Sequence, residues 1–161
     1  MKTEEVKYDV MVIGGGIAGQ EAALSLANMD YKVLLVEKGL SIGGKMIQLS
    51  KVFPTLDCAA CITTPKMSET ARHENITLLL NSEIDRIRRN EKGFHLEITK
   101  NPRYVKPEAC TGCQECEMAC PEVRSDEYNA HLAGRKVAYI PFSLANPRIA
   151  VIDRQDESAP C

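Results

Sequence analysis

The chain has no tryptophan, only three phenylalanines and five tyrosines among its 161 residues. So few rings argue against a base-stacking platform for single-stranded nucleic acid. Charge of one sign is missing too: 20 Lys and Arg face 22 Asp and Glu, leaving a formal net charge of -2. Nothing in that balance calls for nucleic acid or an anionic membrane as partner. The stretch from Met1 to Asp9 is charged and lacks the apolar centre of an export signal. No apolar run approaches the roughly 20 residues of a membrane span. Repeats and low-complexity tracts are absent, and the length predicts one domain or one and a fraction. Cysteine, by contrast, is plentiful. Seven cysteines without an export signal point to metal or redox use, and to the cytoplasm of an anaerobe.

Four of the seven fall in Cys110-Thr-Gly-Cys113-Gln-Glu-Cys116-Glu-Met-Ala-Cys120-Pro121. The spacing C-x2-C-x2-C-x3-C-P is that of thiolates wrapping a [4Fe–4S] cluster. Tight turns aim successive sulfurs inward, and Gly112 supports one of them by tolerating positive φ. In two-cluster ferredoxins the fourth cysteine of such a run serves the other cluster. Zinc is the rival reading, but zinc sites pair two knuckles across a long gap, and this run has neither gap nor histidine. Cys110, Cys113, Cys116 and Cys120 are therefore the expected metal ligands.

A second motif stands near the start. Val10-Met-Val-Ile13 reads as a strand buried on both faces of a parallel sheet. It feeds Gly14-Gly-Gly16-Ile-Ala-Gly19, a G-x-G-x-x-G turn, and a helix from about Ile17 to Met29 with a small-residue face. Residues 32–36 form the next strand, ending at Glu37. Such a turn lets the backbone approach a pyrophosphate, which then sits on the helix N-terminus. An acid at the next strand end suits ribose hydroxyls. Gly43-Gly44 follows Glu37, and this continuation resembles the two-dinucleotide-domain flavoproteins, which implies FAD rather than NAD. The expected cofactor contacts are Gly14, Gly16, Ile17, Ala18, Gly19, Glu37, Lys38, Gly43 and Gly44.

Cys58 and Cys61 precede Thr64-Pro65-Lys66. Thr64 is expected to cap a helix that begins at Pro65 and runs to about His73. Disulfide-reducing flavoproteins carry a similar cysteine pair after the Gly-Gly, but spaced C-x4-C. Three roles compete here: additional cluster ligands, a flavin-linked redox dithiol, or small buried residues. Residues 75–80 read as a third parallel strand. Glu83–Arg88 and Phe94–Thr99 read as a hairpin with one solvated face, and Arg86, Arg88 and Arg89 as its wet side. Asn101–Pro107 is the expected linker. Residues 135–141 and 148–153 are expected strands, with a turn at Asn146-Pro147. His73, His95 and His131 receive no chemical role.

Taken together, Gly14–Gly19, Glu37 with Gly43-Gly44, Phe53-Pro-Thr55, Asp57-Cys58-x2-Cys61, Pro65-Lys66-Met67, Pro102-Arg103-Tyr104-Val105, Cys110-Thr-Gly-Cys113 and Tyr139-Ile-Pro-Phe142 resemble the flavin- and iron–sulfur-carrying A-type subunit of the heterodisulfide reductases, together with its bacterial relatives. The resemblance covers nearly the whole chain. It implies FAD and [4Fe–4S] cofactors, an α/β fold with a Rossmann-like half-domain at 1–100 (parallel strands plus a β-hairpin), and a partial ferredoxin-like iron–sulfur module at 101–161. It also implies an oxidoreductase component working beside other electron-transfer subunits, heterodisulfide-reductase-like or of hydrogenase and dehydrogenase type, and ferredoxin-type donors. Electron bifurcation is the activity it implies for the whole complex. Family members are several times longer. A doubly wound domain grips a dinucleotide with two such halves, so this chain alone is expected to hold FAD weakly and to be inactive by itself. Cys161 stands where a second cysteine run would begin. Two other functions compete with the leading one: a ferredoxin-like carrier with a vestigial flavin site, and a disulfide reductase using Cys58 and Cys61 directly.

Overall fold

The computed structural model describes residues 4–91 and 93–154. Cys161 and the polar stretch before it lie outside the described residues. The chain divides into two compact units, 1–100 and 101–161.

The first unit is built on a three-stranded parallel sheet of β1 (Val10–Ile13), β2 (Val33–Glu37) and β3 (Ile76–Leu80), with β2 in the middle. Val10 pairs with Val33, and Val33 with Ile76. Val33, Leu34, Leu35 and Val36 are all buried, as an unbroken apolar run in a central parallel strand should be. β1 departs from that expectation. Its first three residues are half-buried and Ile13 is 62% exposed. The reason is position: β1 pairs only with β2 and carries no strand on its other edge among the described residues.

Helix α1 (Ile17–Ala27) stops two residues short of the expected end, and the Asn28 N–H closes it on Leu24 O. Helix α2 (Ala59–Arg72) differs more. Its N-cap is Cys58 rather than Thr64, and Pro65 lies inside it. The Cys58 sulfur accepts the Cys61 N–H at 3.4 Å and so starts the helix early. Pro65 costs this helix one main-chain donor, the one that would have reached the Cys61 carbonyl. At the far end His73 closes the helix. Its Nδ1 accepts the Asn75 N–H and its Nε2 meets Asn28 Oδ1, both at 3.2 Å.

Strands β4 (Ser82–Asn90) and β5 (Gly93–Lys100) form the expected antiparallel hairpin, with a correction in register. Ile84 and Ile87 are three apart, a spacing that simple alternation would put on opposite faces. A bulge at Asp85 restores them to one face, Ile84 opposite Ile98 and Ile87 opposite Leu96. Asp85 Oδ2 accepts the Thr99 hydroxyl at 2.6 Å. The arms are wetter than expected: Ile87 and Phe94 are exposed along with Arg86, Arg88 and Arg89.

The second unit is made of short pieces. A 3₁₀ turn (Pro107–Ala109) and helix α3 (Glu115–Ala119) are followed by β6 (Val123–Ser125), β7 (Gly134–Lys136), β8 (Ala138–Tyr139) and β9 (Val151–Ile152). The expected strand at 135–141 is cut in two at Val137, because Lys136 pairs with Val123 while Ala138 pairs with Ile152. Of the expected strand at 148–153 only β9 forms. Two small apolar clusters hold the unit. One joins Cys120, Val137 and Ala138; the other joins Ile140, Ala145 and Ala150. Asp153 ties the unit together by receiving Arg135 at 2.8 Å and Arg124 at 3.3 Å, and the Arg135 guanidinium lies 4.0 Å from the Tyr139 ring centre. Burial holds the Tyr139 phenol above its ordinary range.

Asp153 and Arg135 are both nearly buried, so removing the acid strands a cation. Asp153→Ala is expected to cost about 3 kcal/mol, read as a lower urea midpoint for this unit.

Candidate functional site

The glycine turn is held by its surroundings rather than by its own sequence alone. The Gly14 N–H donates to Val36 O at 2.8 Å, pinning the turn to β2. The Gly15 N–H donates to Glu37 Oε2, whose other oxygen receives the Gly39 N–H at 2.6 Å. The Gly15 carbonyl accepts twice, from Gln20 Nε2 and from the Gly43 N–H, each at 2.8 Å. Three separate segments, the end of β2, helix α1 and the turn at Gly43, thus converge on Gly15. In a trans peptide the N–H points opposite the preceding carbonyl. The Gly16 N–H is therefore aimed away from Gln20 and Gly43.

Gly16 is the N-cap of α1 and supplies no side-chain cap. The N–H groups of Ile17, Ala18 and Gly19 have no partner within the helix, as in any first turn. A Cβ built on Gly16 would meet nothing within 4 Å, so open space lies beside these donors. Unpartnered N–H groups, the positive end of a helix dipole and clear space together fit a phosphate. Crowding on the inner side is severe. A Cβ on Gly19 would run into the Gly14 carbonyl oxygen, and one on Gly44 (φ +59°) would stand 2.8 Å from Gly16 Cα. The two Gly-containing turns are packed backbone to backbone.

Gln20 is the residue that sequence reading missed. It is fully buried, donates to the turn, and leaves its Oε1 without a partner. Its signal was a polar side chain on the otherwise small, apolar face of α1. Glu37, expected to meet a ribose, holds the Gly15 N–H with Oε2 and the Gly39 N–H with Oε1. Lys38 is exposed.

Cys58 and Cys61 are both exposed, which overturns the reading of them as small buried residues. The Cys61 thiol and N–H hold the Cys58 thiol below its ordinary range, while Cys58 pushes Cys61 up. The segment leading to them folds back on itself. Lys51 and Cys58 form an antiparallel bridge, the Val52 N–H donates to Asp57 O, and the Leu56 N–H donates to Val52 O. Phe53, 92% exposed, and Leu56, 61% exposed, sit at the tip.

In the second unit the structure places the four cysteines of the run differently from one another. Cys110 is half-buried and its sulfur accepts the Ala150 N–H at 3.4 Å. Cys113 and Cys116 are exposed, and Cys120 lies in an apolar cluster. The Glu115 N–H and the Thr111 hydroxyl hold the Cys113 thiol below its ordinary range. Between the cysteines, Gly112 (φ +70°) and Gln114 (φ +68°) make the two left-handed turns that bend the loop. Among the described residues no three His, Cys, Asp or Glu side chains converge closely enough to hold a metal ion. The all-thiol donor set and the doubly turned loop fit an iron–sulfur group; the sulfurs themselves are not gathered.

A family model for FAD dependent oxidoreductases matches residues 9–125, which takes in both the glycine turn and the cysteine run. The iron–sulfur A-type subunit of the CoB–CoM heterodisulfide reductase of Methanocaldococcus jannaschii is 45% identical over 152 residues, 94% of this chain. The chain belongs to this family of heterodisulfide reductase A-type subunits. A protein of Archaeoglobus profundus, named for its likeness to the same subunit, is 47% identical over 151 residues, 92% of this chain. The chain spans 23% of the first relative's length and 22% of the second's. Among solved structures, L-proline dehydrogenase from P. horikoshii overlays with a TM-score of 0.54 at 25% identity, covering 62% of this chain and 21% of that one. Thioredoxin reductase from T. acidophilum gives 0.52 at 22% identity, covering 60% and 32%. Both share the Rossmann-like fold of the first unit. No helix among the described residues is long and apolar enough to cross a membrane.

Because the Gly14 carbonyl cannot retreat without breaking the link to β2, Gly19→Ala is expected to cost about 3 kcal/mol in a thermal melt. Gly16→Ala, facing open space, is expected to melt close to the unaltered chain.

Proposed function

We propose that this chain is a flavin- and iron–sulfur-dependent electron-transfer component of a heterodisulfide-reductase-like complex. The observation that carries the reading is the braced Gly15 turn, with open space at Gly16 beside the first-turn donors of Ile17, Ala18 and Gly19. FAD is assigned to Gly14, Gly16, Ile17, Ala18, Gly19, Glu37, Lys38, Gly43 and Gly44, with Gln20 holding the turn in shape. The family model, described as FAD dependent oxidoreductase, supports FAD over a nicotinamide cofactor.

An iron–sulfur group is assigned to Cys110, Cys113, Cys116 and Cys120. The name of the M. jannaschii relative, an iron–sulfur subunit, supports it. Cys113 and Cys116 are exposed, so their sulfurs can turn without disturbing either apolar cluster. Flavin exchanges electrons in pairs or singly, and an iron–sulfur cluster passes them one at a time. The chain's own residues seat the phosphates, orient the turn and present the thiols. Relatives named as a hydrogen:heterodisulfide,ferredoxin reductase subunit and as a ferredoxin:heterodisulfide reductase subunit support hydrogenase-type partners, further reductase subunits and ferredoxin-type donors; dehydrogenase-type partners are proposed with them. Free thiols of this number suit the reducing cytoplasm. The chain spans a quarter or less of the relatives' length, and its part in electron transfer is proposed only together with the remaining regions that those relatives carry.

Anaerobic purification with partner subunits is expected to yield flavin and acid-labile sulfide. Absence of both would overturn the reading. Cys113→Ser is expected to lower iron per chain while bound flavin, measured by fluorescence after release, stays unchanged. Gly19→Ala is expected to do the reverse.

A further inference from the structure

We propose that Cys58 and Cys61 form a thiol–disulfide exchange site in which Cys58 attacks and Cys61 resolves, and whose substrate is a disulfide carried on an apolar polypeptide segment. The proposal concerns a different set of side chains from the phosphate turn and does not depend on flavin or iron being bound.

The order of attack comes from geometry. Cys58 is the N-cap of a 14-residue helix, and its sulfur already accepts the N–H of Cys61. That places the sulfur on the helix axis end, where thiolate charge is favoured. Cys61 sits three residues on, across the first turn, where side chains are neighbours. Both are exposed, so an incoming disulfide reaches Cys58 along an open line. The exchange balances without an outside oxidant. The Cys58 thiolate bonds to one sulfur of the substrate disulfide and the other sulfur leaves as a thiolate, which takes up the proton Cys58 gave up. The Cys61 thiolate then bonds to Cys58 Sγ and releases the second substrate thiol, which likewise recovers a proton. Two protein thiols become one disulfide, and one substrate disulfide becomes two thiols.

The choice of substrate comes from the side chains around the pair. Phe53 and Leu56 stand on the loop closed by the Lys51–Cys58 bridge, and Leu49 and Ile62 flank it, all exposed. An apolar peptide segment covers these surfaces; a small, highly charged disulfide such as oxidised glutathione does not.

The test uses the full chain, reduced and anaerobic, with peptide mass mapping to separate these thiols from the other five. With insulin as the disulfide probe, the unaltered chain is expected to end with a Cys58–Cys61 disulfide. Cys61→Ser is expected to trap a mixed disulfide at Cys58. Cys58→Ser is expected to react at Cys61 about tenfold more slowly. Serine is itself a good N-cap, so that variant keeps its helix. Phe53→Ser with Leu56→Ser is expected to slow reaction with insulin about fivefold while leaving reaction with Ellman's reagent, a small aromatic disulfide, within about twofold. Faster trapping at Cys61 than at Cys58 would overturn the order of attack. Equal slowing toward both probes, or glutathione disulfide reacting as fast as insulin, would overturn the substrate assignment. Iron per chain falling in both serine variants, with no internal disulfide in the unaltered chain, would make the pair cluster ligands and end the proposal.

Discussion

The conformation of Gly15 is the constraint on which the first unit turns. Its N–H is fixed by Glu37 at the end of β2, and its carbonyl by Gln20 from α1 and by Gly43 from the following turn. Each bond alone is worth on the order of 1 kcal/mol. Their joint effect is geometric. A glycine, free to adopt many backbone angles, is left with one, and the peptide that follows it is aimed by elimination. Much of the entropy lost in ordering a phosphate-seating loop is therefore paid during folding, before any ligand arrives.

The parts of the fold that followed a strict period were legible in the sequence. β2 and β3, the helix after the glycine turn and the hairpin partners all stand where apolar spacing put them. What failed did so for local reasons. Proline is favoured in a first turn, which predicts a helix starting at Pro65, yet the Cys58 sulfur supplies an earlier cap and the helix absorbs the proline. The three-residue gap between Ile84 and Ile87 signalled a bulge that alternation alone cannot express. Val137 lies between two ladders, which no strand propensity reveals.

The site was legible to a similar degree and for similar reasons. Glycines at fixed offsets report a steric demand, and the crowding at Gly19 and Gly44 is that demand made visible. Gln20 was hidden because a buried amide carries no spacing signature; its role exists only once the turn has brought the Gly15 carbonyl over it. The cysteine run declared its donor chemistry by spacing, but the environments of its members are set by tertiary packing. Cys120 joins Val137 and Ala138 in an apolar cluster, whereas Cys113 and Cys116, only a few residues away, face water.

The bare flank of β1 has a further meaning. With Met11 and Val12 half-covered and Ile13 open at its end, this strand has no partner strand on its outer edge among the described residues and is bordered there by greasy side chains. Such a border is a docking rail for any extended segment of suitable polarity, native or foreign. Kept at high concentration without company, copies of this chain have an incentive to zip together along it, and solubility then reports on unfilled hydrogen bonds as much as on net charge.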